Sequence, residues 1–392
     1  MDVRDHVWAA IIAGGQGTRL FPISYTNCPK QFCRLDDQNT FIQATIKNYV
    51  GLGIKPTQIV MTVTSDNQMK LAKEQALPRG VLSQNIYRVD PDCGYVGSMA
   101  KATEFIFRLD PDAIIVNTPA DHYLLPDEEF SKAVNSAIEE ARQSSSVILG
   151  IKVNDIVTAT GCGHALFEET DSPCFPVIGF VEKPDILQAD EIMRQGNSAC
   201  NTGIIVWKAE RIISKFNPDD MVGLGTDELM YKLDNLKIVV GNFEWHDCGT
   251  LKSLYDISKK TPDHKNASLG KGSFEPIDCH RSLLYASEGM ELRVTGAEDL
   301  AIIFTTINEK PIIVIAKLDE SQSIKSLAED YSKHEAFLTA DFSFGARNNI
   351  ILRSNISDEL IVGFVGVQNY AVYVHKNRDG TLEAAVSQQL IG

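Results

Sequence analysis

A β-branched apolar run, Ile11-Ile12, breaks at once into Gly14, Gly15 and Gly17. No other feature constrains this chain so strongly. The run suits a buried strand, and glycines let the backbone turn tightly and bring N–H groups against a phosphate. Thr18 and Arg19 follow directly, and Lys30 stands eleven residues beyond Arg19. Those two cations add fixed positive charge beside the loop. Gly14, Gly15, Gly17 and Thr18 thus read as a triphosphate cradle at the end of a strand. The spacing matches neither GxGxxG nor GxxxxGKS/T, so the dinucleotide and P-loop fingerprints both fail.

The text after the loop alternates. Short β-rich runs (QIVMTVT, NIYRVD, AIIVNTPAD, SVILGIKV) are interleaved with helical patterns over 40–52, 67–75, 98–108 and 128–143. This predicts an α/β fold, a Rossmann-like, mostly parallel sheet with helices on both faces. Ligands bind such sheets at the C-terminal ends of the strands, where the glycine loop and TPAD both fall. More strands (VIGFVEKP, TGIIVWK, LKIVVGNFEW) continue without a separate linker, so residues 1–260 read as one catalytic domain. The polar, Gly- and Pro-rich TPDHKNASLGKGSFEP marks a boundary. Beyond it, 275–392 reads as a smaller β-rich domain with a weak two-unit repeat. SLLYASEGMELRVTGAEDLAIIF is echoed by NIILRSNISDELIVGFVGVQNYAVYV, which suggests stacked β units. Between the copies, ESQSIKSLAEDYSKHEAFL reads as an amphipathic helix.

The net charge is −15, from 37 basic and 52 acidic residues. No global positive field is available to attract nucleic acid or an anionic membrane. An anionic substrate therefore needs a local cluster of Lys and Arg. MDVRDHVW carries no secretory h-region, and no apolar run approaches the roughly 18 residues of a membrane span. A cytoplasmic protein is expected, and its eight cysteines, with no CxxC pair, then read as reduced, mostly buried thiols.

Several short segments carry chemistry. Asp121 in TPAD follows an apolar strand, as does Asp247 in FEWHDCGT. Two such carboxylates suit one Mg²⁺ on nucleotide phosphates, although each taken alone is equally a surface turn residue. His122 and His246 sit beside them and leave a transition-metal set open. In FVEKPD, Glu182 suits sugar hydroxyls and Lys183 a phosphate, against the plainer reading of an exposed turn. Gly163 in TGCGH allows close backbone approach, and Asn201 in NTG offers an amide that both donates and accepts.

Taken in order, GGQGTRLFP, PKQF, TPADH, TGCGH, FVEKPD, NTG and WHDCG resemble the nucleotide-sugar pyrophosphorylase family. The mannose-1-phosphate guanylyltransferase (GDP-mannose pyrophosphorylase) branch is the best match. The resemblance covers nearly the whole chain, including GAEDLAIIFTTINEKPIIVIAKLDESQSIKSLAEDY. It implies an enzyme that transfers a nucleoside monophosphate, GMP from GTP, to a sugar 1-phosphate such as mannose 1-phosphate, with release of pyrophosphate. It further implies that Arg19 neutralises the pyrophosphate and that Lys30 and Lys183 hold the phosphates around the reacting phosphorus. Asp121 and Asp247 would bind Mg²⁺, and Gly163, Glu182 and Asn201 the sugar. Two segments depart from the branch's pattern. Tyr25 replaces an Arg-like residue, and DPDCGYVGSMAKA stands where GRNTAPA is usual, so the base or the sugar can differ. The alternatives are a guanylyltransferase for another hexose, heptose or cyclitol phosphate, and a non-catalytic nucleotide-sugar sensor that regulates a partner. Open edges in the C-terminal β units suggest homodimer contacts.

Overall fold

The computed structural model describes residues 5–36, 38–143, 145–333, 343–344, 351–354, 361–365, 370–376 and 381–388. The chain falls into two compact units, Met1–Gly14 with Ile42–Asp247, and Gly15–Phe41 with Cys248–Gly392. This division differs from the expected 1–260 and 275–392, because residues 15–41 and 248–260 fold with the second unit. The cause is apolar packing. The Phe21 ring lies 5.3 Å from that of Tyr331, on a helix over Ser321–Lys333. Ile324, Leu327, Ala328 and Tyr331 are buried along one stripe of that helix, the spacing expected of an amphipathic segment. The remainder of the expected helix, 334–338, lies outside the described residues.

In the first unit the strands are β1 (Val7–Ile12), β2 (Ile59–Val63), β3 (Ile86–Arg88), β4 (Ile114–Pro119), β5 (Tyr123–Leu124), β6 (Ser146–Ile151), β7 (His164–Phe167), β8 (Phe175–Val181), β9 (Ser198–Lys208), β10 (Leu236–Gly241) and β11 (Trp245–His246). Among the described residues nine of these form one sheet, in the order β3-β2-β1-β4-β9-β6-β10-β8-β7. The first half is parallel, with β1 between β2 and β4 and β3 outside β2. β9 then runs antiparallel between β4 and β6. β1 is buried along its whole length, as expected of a parallel strand covered on both faces.

Helices α1 (Phe41–Gly51), α2 (Asp66–Ala76), α3 (Gly94–Leu109) and α4 (Glu128–Arg142) cover the sheet. α3 opens at Gly94 rather than at 98. Its Val96, Met99 and Ile106 share a core with Trp8, Ala10 and Ile12, alternate residues of β1. Alternation turns the intervening Ala9 and Ile11 to the opposite face. α1 and α4 meet through the Tyr49 and Phe130 rings, 6.3 Å apart. The α4 apolar stripe begins behind an Asp127 cap, whose carboxylate accepts from the Phe130 N–H at 2.8 Å, a contact worth about 1 kcal/mol. The C-terminal ends of β1 and β4 are neighbours, with Ile12 opposite Pro119. Gly14 and Asp121 therefore leave the sheet side by side.

The second unit holds β12 (Ala267–Gly270), β13 (Ser273–Ile277), β14 (Leu283–Ala286), β15 (Met290–Thr295), β16 (Leu300–Ile307), β17 (Lys310–Lys317), β18 (Ser343–Phe344), β19 (Ile351–Ser354), β20 (Ile361–Val365), β21 (Tyr370–Lys376) and β22 (Leu382–Gln388). From β12 to β16 successive strands alternate between two sheets, packed through residues such as Leu284, Leu292, Phe304 and Val386. The strands of the two sequence copies are paired as follows. In the first copy, β14 and β16 pair in parallel while β15 lies in the other sheet. In the second, β19 and β21 pair in parallel while β20 lies in the other sheet. Residues 349–350, 355–360 and 366–369 of the second copy lie outside the described residues. Among the described residues no helix is long and apolar enough to cross a membrane.

Candidate active site

Three of the sequence-selected residues meet where β7, β8 and β9 pair. His164 lies opposite both Val181 and Cys200, which sets Gly163, Glu182 and Asn201 next to one another. The Asn201 N–H donates to the Gly163 carbonyl at 2.7 Å. A Cβ on Gly163 would fall 2.6 Å from Glu182 Oε2 and 2.5 Å from the Phe180 ring, so any side chain there forces its neighbours to shift. Gly163 precedes β7, Asn201 lies inside β9 and Glu182 directly follows β8. Lys183 stands 3.3 Å from the Glu182 carboxylate and has a positive φ of 43°.

Cys162 and Cys200 form a disulfide with Cα atoms 5.9 Å apart, which corrects the expectation that every cysteine is a free thiol. Sequence spacing gave no sign of it, because strand pairing alone brings the two together. The bond ties the turn before Gly163 to the strand residue before Asn201. Beside it, His164 is buried and its Nε2 lies 2.9 Å from the Ala159 carbonyl. Burial lowers its pKa below the ordinary histidine value, against the opposing pull of that carbonyl. The imidazole is therefore neutral near pH 7.

The second cluster lies around Asp121 and Asp247. β5 and β11 form a short antiparallel ladder, Trp245 opposite Leu124 and His246 opposite Tyr123. Asp121 and His122 enter that ladder where Asp247 leaves it, so both carboxylates belong to one end. The Trp245 indole N–H donates to His122 Nδ1 at 3.1 Å, and His246 Nε2 lies 3.3 Å from Glu244. Among the described residues no group of three or more His, Cys, Asp and Glu could hold a metal.

NTG joins the two clusters. The Asn201 side-chain oxygen accepts from the Gly203 N–H at 3.1 Å. A Cβ on Gly203 would meet Pro119 at 3.0 Å and His122 at 3.6 Å. The Tyr95 hydroxyl donates to the Gly203 carbonyl at 2.7 Å. Burial first, then the nearby Tyr49 and Asp121, push the Tyr95 phenol well above its usual pKa, so it stays a donor. Sequence reasoning missed Tyr95. Its only signal was the DPDCGYVGSMAKA departure in which it stands.

The glycine loop is fixed by its carbonyls. In the first unit the Gly14 carbonyl accepts from Thr64 Oγ1 at 3.1 Å and Gln68 Nε2 at 3.3 Å, two residues that no motif had flagged. In the second unit the Gly15 carbonyl accepts from Gln31 Nε2 at 2.9 Å, and the Gly17 carbonyl from Ser24 Oγ. Gly17 has φ +61°, and a Cβ there would lie 2.4 Å from the Lys30 Cβ. The loop and Lys30 are thus in contact. Lys30 is buried, with Nζ 5.5 Å from the Phe41 ring centroid. Thr18 and Arg19 belong to a single helical turn, Thr18–Leu20, with Arg19 exposed.

The nucleotidyl transferase family matches residues 8–264. Mannose-1-phosphate guanylyltransferase 2 of Escherichia coli O157:H7 is 27% identical over 364 residues, a match covering 82% of this chain and 72% of that protein. A mannose-1-phosphate guanylyltransferase of Salmonella typhimurium is 27% identical over 357 residues, with the same coverage of 82% and 72%. Among solved structures, mannose-1-phosphate geranyltransferase from Thermus thermophilus aligns with a TM-score of 0.68 at 22% identity, over 83% of this chain and 99% of that one. That likeness speaks for the fold.

Proposed function

We propose that this chain, which belongs to the nucleotidyl transferase family, transfers GMP from GTP to mannose 1-phosphate, giving GDP-mannose and pyrophosphate. One observation carries the reading. Relatives named for mannose-1-phosphate guanylyl transfer match 82% of the chain, well beyond the family's own span. Transfer of a nucleoside monophosphate to a sugar 1-phosphate is the coarser form of the same reading.

The roles follow from chemistry. The sugar phosphate oxygen is already anionic and can attack in line, so the protein need supply no nucleophile. Its work is alignment of two polyanions and stabilisation of transition-state charge. Arg19 neutralises the leaving pyrophosphate, and Lys30 and Lys183 hold the phosphates around the reacting phosphorus. Glu182 accepts from sugar hydroxyls, Asn201 binds them with its amide, and Gly163 gives the sugar room. Asp121 and Asp247, at one end of the β5–β11 ladder, suit Mg²⁺, which takes one or two carboxylates and completes its shell with phosphate oxygens and water. Bound there, Mg²⁺ supplies charge neutralisation on the triphosphate. The C-terminal β units make homodimer contacts, a reading supported by their open sheet edges.

A screen of four nucleoside triphosphates against a panel of sugar 1-phosphates, read by pyrophosphate release, tests the proposal. Highest kcat/KM with GTP and mannose 1-phosphate is expected. Preference for another pair reassigns base or sugar, and no release with any pair rejects transferase activity. Light scattering of the purified chain tests the dimer.

A further inference from the structure

Cys28 and Cys33 bracket the turn Lys30–Phe32, and their sulfur atoms lie 3.6 Å apart. The backbone fixes both ends. Tyr25 and Cys28 exchange N–H···O bonds of 3.0 and 2.9 Å, and the Cys33 N–H donates to the Lys30 carbonyl at 2.9 Å. Cys33 is buried and Cys28 half-buried. Both line an open cavity of about 270 Å³ with Arg34, Lys271, Ser287 and Glu288.

We propose that Cys28 and Cys33 form a dithiol site that reacts with small disulfides bearing carboxylates and closes to an intramolecular disulfide. Three observations support it. Closure needs the sulfurs to approach from 3.6 Å to about 2.05 Å. Two cations, Arg34 and the Glu288-paired Lys271, stand in the same cavity for the reagent's carboxylates. The hydrogen bond between the two thiols lowers the Cys28 pKa, while the same bond, and then burial, raise that of Cys33. Cys28, the less buried of the two, is thus the attacking sulfur and Cys33 the resolving one.

The chemistry balances. Cys28 attacks one sulfur of the reagent and forms a mixed disulfide, and the other half leaves as a thiolate that takes the Cys28 proton. Cys33 then attacks the Cys28 sulfur and expels the second half, which takes the Cys33 proton. Two cysteine thiols are oxidised and one small disulfide is reduced to two thiols. The product clamps the turn that carries Lys30 and Gln31, whose amide holds the Gly15 carbonyl. The effect on turnover rests on the function proposed above, but the exchange itself does not.

The full chain is incubated with oxidised glutathione, alkylated and digested with trypsin. Cleavage at Lys30 places the cysteines in separate peptides, 20–30 and 31–34, that only a disulfide joins. Wild type should yield the joined pair, with an intact-mass loss equal to the two thiol hydrogens. Cys33→Ser should accumulate glutathione on Cys28, and Cys28→Ser should do neither. Cystamine, a cationic disulfide, should react more slowly. Absence of the joined peptide, or glutathione uptake by Cys28→Ser as fast as by wild type, overturns the dithiol site. Equal rates for the two reagents overturn its preference for carboxylates.

Discussion

The Glu182 carboxylate fills the space that Gly163 leaves, its Oε2 standing 2.6 Å from where a Cβ of residue 163 would lie. A residue chosen for its lack of a side chain and one chosen for its charge thus form a single feature. Close packing means that a methyl group at 163 must displace the carboxylate or the Phe180 ring.

Glu182→Gln should therefore weaken sugar-phosphate binding about 10- to 150-fold, the worth of a hydrogen bond to a charged group at roughly 1.5–3 kcal/mol. Triphosphate binding should be unchanged. Gly163→Ala should reproduce the defect. Separate calorimetric titrations of each substrate check this, and a loss confined to the triphosphate would place the sugar elsewhere.

Asp121→Asn and Asp247→Asn should each weaken Mg²⁺ activation and leave the circular dichroism spectrum unchanged. Both carboxylates leave one end of the β5–β11 ladder, so either loss should raise the Mg²⁺ concentration needed for half-maximal rate. Full activity in EDTA would dismiss the metal.

Lys30→Ala and Arg19→Ala should each lower kcat/KM by about 100-fold or more, the scale of a lost transition-state contact. Gly17→Ala should mimic Lys30→Ala. It strains a backbone with φ +61° and drives a Cβ to 2.4 Å from that of Lys30. Wild-type turnover in a folded Gly17→Ala protein would uncouple the loop from the lysine.

Stability should fall as pH drops below neutrality, in part through His164. Its folded pKa is depressed by burial, whereas the unfolded chain titrates near the ordinary value of about 6.5. Above that value the neutral ring's contribution is fully present. Below it the unfolded state binds a proton that the fold disfavours, and stability is lost at up to about 1.4 kcal/mol per pH unit. Urea midpoints at pH 7 and pH 5 measure the drop. His164→Gln should flatten it, and an unchanged slope would exonerate the ring.

Much of this protein was written locally. The glycine loop, the period of each helix and the apolar strands β1, β2, β4 and β6 follow from short-range rules, because backbone conformation and burial of a face depend on neighbours a few residues away. The pattern also predicted that TPAD and the loop share one end of the sheet, and Ile12 does lie opposite Pro119. TGCGH, FVEKPD and NTG are likewise local strings, and the roles proposed for Gly163, Glu182 and Asn201 rest on the family resemblance.

Tertiary structure decided what depends on distant pairing. Residues 15–41 join the second unit because Phe21 packs on Tyr331, a contact that no local pattern encodes. The Cys162–Cys200 bond arises from the pairing of β7 with β9, across 38 residues of sequence. Tyr95 became visible only when α3 brought its hydroxyl to the Gly203 carbonyl. Residue types and spacing determine which segments form strands, helices and turns. Which of them meet is settled by packing and hydrogen bonding across the folded units, where one register fixes many side chains at once.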